Sequence, residues 1–214
     1  MNTDPYDDTL RACDALPPGQ VFVLTGADDP RAVLRRLQSD RPRQFEWGIL
    51  EDGPARYRVE IRRRAAAEPR AVSEYLGWDH QRLSAILGEV SRLVRDGTCQ
   101  DAARSFAEFA CGLNWHINAE ESTLFPAFEQ KTGIVEGPTT VLREEHRLIR
   151  RWMDEVTAAL KASDPAAAGR AITGLEEILG EHNVKEEQVL YPMTDGAMAD
   201  GRERDDLVNR IQVT

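Results

Sequence analysis

His116-Ile-Asn-Ala-Glu120-Glu121-Ser-Thr-Leu124-Phe125-Pro126 and His182-Asn-Val-Lys-Glu186-Glu187-Gln-Val-Leu190-Tyr191-Pro192 are one pattern written twice, 66 residues apart. Asp79-His80 and Glu145-His146 repeat at the same offset, as do Glu89-Val90 and Glu155-Val156. All four histidines of the chain thus fall into two pairs related by a single shift. Two copies of a helical hairpin are the simplest reading.

Working outward, from Ala71 the apolar period becomes that of a helix. Val72, Leu76, His80, Leu83, Leu87, Val90 and Val94 step by three or four, placing His80 on an apolar stripe. Phe106, Phe109, Leu113, His116, Glu120 and Leu124 form a second stripe, and Leu142, His146, Ile149, Met153, Val156 and Leu160 a third. Ala171, Leu175, Ile178, His182, Glu186 and Val189 form the fourth. In each helix the polar exception lies inside the face that must be buried. A carboxylate stranded there costs several kcal/mol unless neutralised, so something positive belongs in that core.

The heights agree as well. Helices joined by a short loop run antiparallel, and residues equally far from the loop come opposite each other. The midpoint between His80 and His116 falls on Thr98, inside Asp96-Gly97-Thr98-Cys99. That between His146 and His182 falls on Asp164, where Asp164-Pro165 suits a helix start. Each hairpin therefore brings its histidines to one level, with Glu120 and Glu186 one turn, ~5.4 Å, further along. Two hairpins packed face to face converge six ligands at mid-bundle.

Imidazole nitrogen with carboxylate oxygen suits iron, manganese or zinc. Two glutamates on opposite helices can bridge two metals, and four histidines can supply two nitrogens to each. With a bridging oxide or hydroxide, each metal would keep one open position, which suits O₂, NO or peroxide at iron. No cysteine joins the set, which argues against an iron–sulfur cluster or a zinc knuckle.

The pattern His80 … His116-x-x-x-Glu120 … His146 … His182-x-x-x-Glu186, with Leu-Phe-Pro and Leu-Tyr-Pro tails, resembles the hemerythrin-type cation-binding family over about 76–192. The resemblance implies an up-down-up-down four-helix bundle with a di-iron centre. His80, His116, His146 and His182 would be terminal ligands, and Glu120 and Glu186 bridging carboxylates. The oxygen carriers have a fifth histidine one turn before the third-helix ligand, where this chain has Leu142 and Arg143, and they end in His-x-x-x-x-Asp rather than His182-x-x-x-Glu186. The four-histidine pattern is closer to relatives that sense oxygen or iron, handle NO and peroxide, or repair iron centres.

Ahead of the helices, Leu16-Pro17-Pro18-Gly19 reads as a turn and Val21–Leu24 as a strand; Asp29-Pro30 opens a short helix. Phe45, Trp47 and Ile49 alternate, as do Tyr57, Val59 and Ile61, around Asp52-Gly53-Pro54, predicting a hairpin. The expected front part is a small β-α-β-β (α+β) layer over 1–64, with a linker at 65–70, the bundle at 71–192 and a tail at 193–214 containing a short helix. This front part is similar to the uncharacterised sulfur-carrier-like domain found beside hemerythrin domains, although the first strand of such a domain is missing ahead of Thr9. Sulfur carriers use a Cys-Pro pair at their first helix; here Asp14 follows Cys13, so sulfur transfer does not carry over and Cys13 reads as a small apolar residue.

Charge narrows the partners. Residues 1–64 hold 11 side chains of each sign, so the net −10 lies in the helical part, which would repel nucleic acid. The arginines of Arg56–Arg64 alternate with strand residues and read as a solvated strand face. No apolar run approaches the ~20 residues of a membrane span, the start at Met1–Leu10 lacks a signal pattern, and the three cysteines form no framework, so a cytoplasmic protein is expected. Glu121, Glu187, Asp79 and Glu145 are read as solvated flanks with orientation of the ligands as the sharper alternative. Trp78, Trp115 and Trp152 are read as packing, Cys99 and Cys111 as buried thiols, Tyr191 as a residue able to reach the metal bridge, and 201–214 as a cap on the bundle or a subunit contact.

Three functions stay open on sequence: a regulatory or protective di-iron protein binding O₂, NO or peroxide, with the front part docking a protein partner; an enzyme-like role in iron delivery, iron-centre repair or peroxide and NO turnover; and a metal-held structural module. Manganese or zinc are alternative metals. The sequence leaves the oligomeric state open.

Overall fold

The computed structural model describes residues 5–65, 70–198 and 200–214. The beginning of the acidic start (1–4) and most of the expected linker (66–69) lie outside them.

The front part begins with a helix, α1 (Pro5–Asp14), that sequence reading missed. Tyr6, Thr9 and Cys13 step by three and four and are buried, while Asp7 and Asp8 sit in the first turn, where the helix dipole favours negative charge. β1 (Val21–Gly26), α2 (Arg31–Asp40), β2 (Phe45–Asp52) and β3 (Tyr57–Arg63) follow, so the order is α-β-α-β-β rather than β-α-β-β. The strands form one antiparallel sheet in the order β1-β3-β2. The Asp29 carboxylate accepts the Arg31 N–H at 2.9 Å, and the helix starts there, one residue past Pro30. Burial pushes the Cys13 thiol up to about 11, which suits an inert apolar role.

One face of the sheet, with Phe45, Trp47, Ile49, Val59 and Ile61, is buried in an apolar cluster that includes Leu34 and Leu37. The other carries Arg58, Arg62 and Glu46, and it is not the solvated face expected. Arg62 reaches Glu46 at 2.5 Å and lies 4.7 Å from the Trp78 ring centre; Arg58 pairs with Glu108; buried Arg64 pairs with Glu74 at 2.8 Å. Trp78, Glu108 and Glu74 belong to helices of the bundle, so these arginines are the joint between the two parts.

The bundle follows the repeat. α3 (Val72–Arg95) and α4 (Cys99–Ala119) form the first hairpin, and α6 (Pro138–Lys161) and α7 (Pro165–Lys185) the second, every boundary displaced by the same 66 residues. The two inter-helix turns match in detail. Gly97 and Ser163 both have positive φ, and Thr98 N–H and Asp164 N–H reach back to Leu93 and Ala159 carbonyls. After α4 and α7 the chain passes through π-helical turns, Glu120–Leu124 and Glu186–Leu190, into α5 (Phe125–Thr132) and α8 (Tyr191–Ala197). Trp78 and Trp115 pack into the apolar cluster shared with the front sheet. Cys99 and Cys111 are only half-buried, Cys99 because it opens α4 at the loop.

The last helix, α9 (Gly201–Gln212), is the cap expected of the tail. Leu207, Val208 and Ile211 join the cluster around the front sheet. Trp47 Nε1 donates to the Gln212 carbonyl at 2.9 Å, and Gln38 donates to Asn209 at 2.8 Å. Arg70 is 1% exposed; its Nε lies 3.0 Å from Asp205 Oδ1, and its guanidinium also meets Asn209 and Gln212. Asp205→Ala leaves this guanidinium buried without its carboxylate, which costs about 3–5 kcal/mol. A lower melting temperature with faster amide exchange over 201–212 is expected, and an unchanged melt would show that α9 is not clasped this way.

Candidate metal centre

Proline sets the local backbone. Pro126 and Pro192 have no N–H to close an ordinary α-turn, and the helix widens instead: Phe125 N–H bonds Glu120 O, and Tyr191 N–H bonds Glu186 O, five residues back. The widening shifts the helical phase by one residue. Leu190 and Tyr191 therefore turn inward while Val189, expected on the buried stripe, is exposed.

At this level all six expected residues meet. His80 comes from α3, His116 from α4, His146 from α6 and His182 from α7, each no more than 5% exposed; Glu120 and Glu186 are fully buried. Nε2 of His80 lies 3.2 Å from Nε2 of His116, and the same distance separates Nε2 of His146 from that of His182. Each glutamate spans both pairs. Glu120 Oε1 is 3.6 Å from His116 Nε2 and its Oε2 3.3 Å from His146 Nε2; Glu186 Oε1 is 3.1 Å from His182 Nε2 and its Oε2 3.3 Å from His80 Nε2. Ligand atoms of Glu120, His146, His182 and Glu186 all lie within 4.8 Å of one another, as do those of His80, His116 and Glu186.

The outer ring nitrogens are all taken, so the carboxylates beside the ligands orient them, while Glu187 and Glu121 also keep part of their side chains in solvent as flanks. Asp79 holds His116 Nδ1 at 2.9 Å and Glu145 holds His182 Nδ1 at 3.1 Å, within each hairpin. Glu121 holds His146 Nδ1 and Glu187 holds His80 Nδ1, both at 2.8 Å, across the hairpins. Carboxylates that accept from Nδ1–H fix the proton on that nitrogen and turn the Nε2 lone pair inward. The sequence signal was present: each of these carboxylates neighbours a ligand in both copies of the repeat.

Two lone pairs 3.2 Å apart repel unless something positive lies between them, and donors about 2.1 Å from one metal at right angles sit about 3 Å apart. Glu120 Oε2 and Glu186 Oε1 are buried without a hydrogen bond, although each faces an imidazole nitrogen. The donor set therefore fits two adjacent divalent cations. In the metal-free chain protons do part of this work. Burial alone would push His116 and His182 down, but the carboxylates beside them outweigh it, raising His182 to about 9 and His116 well above its usual range. Burial also works to raise Asp79, yet Arg82 and His116 hold it at about 2.

The two halves differ above and below the histidines. Tyr191 donates to Glu120 Oε1 at 2.7 Å, lies 3.1 Å from Glu186 Oε2 and 3.2 Å from His80 Nε2. Its repeat partner Phe125 stacks on His146 instead, with ring centres 5.6 Å apart. Burial, then the two carboxylates, keep the Tyr191 phenol well above its usual pKa, so it stays a donor. A cavity of about 240 Å³ has His80 in its wall, with Leu83, Leu87, Phe109 and Leu113. Ser84 and Gly88 also line it; the second hairpin has Arg150 and Asp154 at those positions, and Arg150 pairs with Glu121 at 3.2 Å.

Residues 72–194 match the family model described as the hemerythrin HHE cation binding domain. Residues 2–63 match an uncharacterized conserved protein family, DUF2249. No curated protein and no solved structure matches the chain.

Tyr191→Phe withdraws one hydroxyl from two buried carboxylates. In chelator-treated protein this costs about 1–3 kcal/mol. Urea unfolding measures it, and a variant as stable as the parent would remove Tyr191 from this role.

Proposed function

The chain belongs to the hemerythrin HHE cation-binding family, and from that premise we propose that it is a non-haem di-iron protein that binds O₂, NO or peroxide in a sensing, regulatory or protective role. One observation carries the reading: each buried glutamate sets one oxygen against each histidine pair. His80 and His116 would hold one iron, His146 and His182 the other, with Glu120 and Glu186 shared between them. When bound, the irons supply exchangeable positions for a small ligand and electrons for its reduction.

The chain's own groups set the terms. Leu142, where the oxygen carriers place a further histidine, is buried and apolar and adds no donor. That favours response to a ligand over its reversible storage. The cavity beside His80 has ample room for a diatomic or a peroxide. Its wall mixes Leu83, Leu87, Phe109 and Leu113 with Ser84, Asn183 and Glu176, whose carboxylate disfavours an anionic ligand, and Tyr191 offers a proton donor at the shared carboxylates. The front part is the natural docking module for a protein partner. No helix among the described residues is long and apolar enough to cross a membrane.

Metal analysis of freshly purified protein is expected to give about two irons per chain. Glu120→Ala or Glu186→Ala should lose metal and lower the melting temperature, because a bound metal stabilises the folded state. Anaerobic Fe(II) loading followed by O₂ or NO should change visible absorption stoichiometrically. Repeated turnover of peroxide or NO would move the assignment to an enzyme. Full zinc or manganese loading with no response to any ligand would leave a structural module and end the di-iron reading.

A further inference from the structure

We infer that the front sheet is a working part of the histidine site: β2 seats Arg82, Arg82 holds Asp79, and Asp79 positions His116. The line of contacts is continuous. Asp79, fully buried, places Oδ2 2.9 Å from His116 Nδ1 and Oδ1 2.8 Å from Arg82 Nε. The Arg82 side chain is only 4% exposed.

Its guanidinium lies in a slot made by two missing side chains. A Cβ on Gly48 of β2 would fall 2.4 Å from Arg82 Nε and 2.5 Å from Cζ. One on Gly112 of α4 would fall 3.1 Å from Nη2 and 3.0 Å from the Ile49 carbonyl. Arg82 Nη1 stands 3.5 Å from that carbonyl, so the strand backbone and the guanidinium are in register. Gly48 and Gly112 have ordinary backbone angles, so their use here is the room they leave. Any larger residue at 48 must displace the arginine.

The second hairpin has no such device. Glu145, the repeat partner of Asp79, is 13% exposed and pairs with Lys185 at 2.5 Å. The repeat partner of Arg82 is Leu148, which is exposed. The front sheet therefore reaches His116, and no matching contact line leads from it to His182, the repeat partner, among the described residues. Reciprocally, a displacement of His116 acts on β2, and whatever docks on the front sheet acts on His116, because coupling between two sites runs both ways. Arg82 and Gly48 are positioning residues.

This rests on the metal reading, and a metal-free measurement separates the two. In chelator-treated protein labelled with ¹⁵N-histidine, Gly48→Ala and Arg82→Lys should shift the His116 imidazole resonances and leave those of His146 and His182 in place. Lys185→Met should do the reverse, moving His182. Should Gly48→Ala disrupt the sheet, Arg82→Lys adds nothing to the strand and decides the matter. With Co(II) as probe, one of the two equivalents should bind about ten- to a hundredfold more weakly in either variant, with an altered visible spectrum. Co(II) loading should also raise amide protection over 45–52 in the parent and not in Arg82→Lys. His116 resonances that stay put in both variants overturn the inference. A parent chain that takes up no Co(II) overturns the metal reading alone, since the imidazole shifts still decide this one.

Discussion

Two carboxylates shut off from bulk solvent govern this molecule. Glu120 and Glu186 lie in a helical interior otherwise lined by leucine, phenylalanine and isoleucine. The cost of leaving a charge there is several kcal/mol per ion, and a typical domain has only about 5–15 kcal/mol of net stability. The fold is tolerable only because positive charge, as imidazolium or as metal, is assembled at the same height. Four helices must therefore keep one register. Sliding any of them by a turn would strand a glutamate and misplace a histidine together. The layer also divides the bundle, with one apolar cluster toward the inter-helix turns and another shared with the front sheet.

Precision at that layer comes from neighbours of the ligands. Asp79 and Glu145 act within their hairpins, while Glu121 and Glu187 cross between them. The shared glutamates cross as well, so each histidine pair is completed by the opposite hairpin. Neither hairpin can make a full site alone. The π-turns make room for this by rotating Phe125 and Tyr191 inward directly after the glutamates. The two copies then diverge at that position, and a hydroxyl on one side faces a phenyl ring on the other.

How much of this was legible in the sequence follows from the range of each interaction. The bundle and its six inward residues were visible because a repeat and a helical period are properties of the chain alone. The inward phase after Glu186 was not, since a missing proline N–H changes the helical period and a fixed step of three or four carries Val189 inward. The outer carboxylates were left as flanks because solvation depends on what stands opposite, and Glu121 meets His146 only once the hairpins dock. The arginines of β3 failed for the same reason. Alternating charge on a strand looks solvated until Glu108 of α4 and Trp78 of α3 are placed over it. Helix α1 was missed differently: its buried face is Tyr6, Thr9 and Cys13, one of them a threonine, and an acidic ten-residue helix shows a weak apolar stripe.

The front part then stops being an appendage. The apolar cluster under its sheet continues through Tyr75, Leu76 and Trp115 of the bundle to Leu124, Tyr191 and Ile211. Tyr75 donates to the Trp47 carbonyl at 2.9 Å, and Trp47 in turn donates to Gln212, so strand, first bundle helix and last helix share one buried set of hydrogen bonds. Tyr191 belongs both to that cluster and to the glutamate pair. A motion that opened the front sheet from the bundle would expose the packing that holds this hydroxyl against the carboxylates. Conversely, any event that repositions the carboxylates must be accommodated by the same cluster, because close-packed interiors rearrange between discrete packings rather than deform smoothly. The glutamate layer and the front sheet are thus joined without a separate linking element, since both border one core.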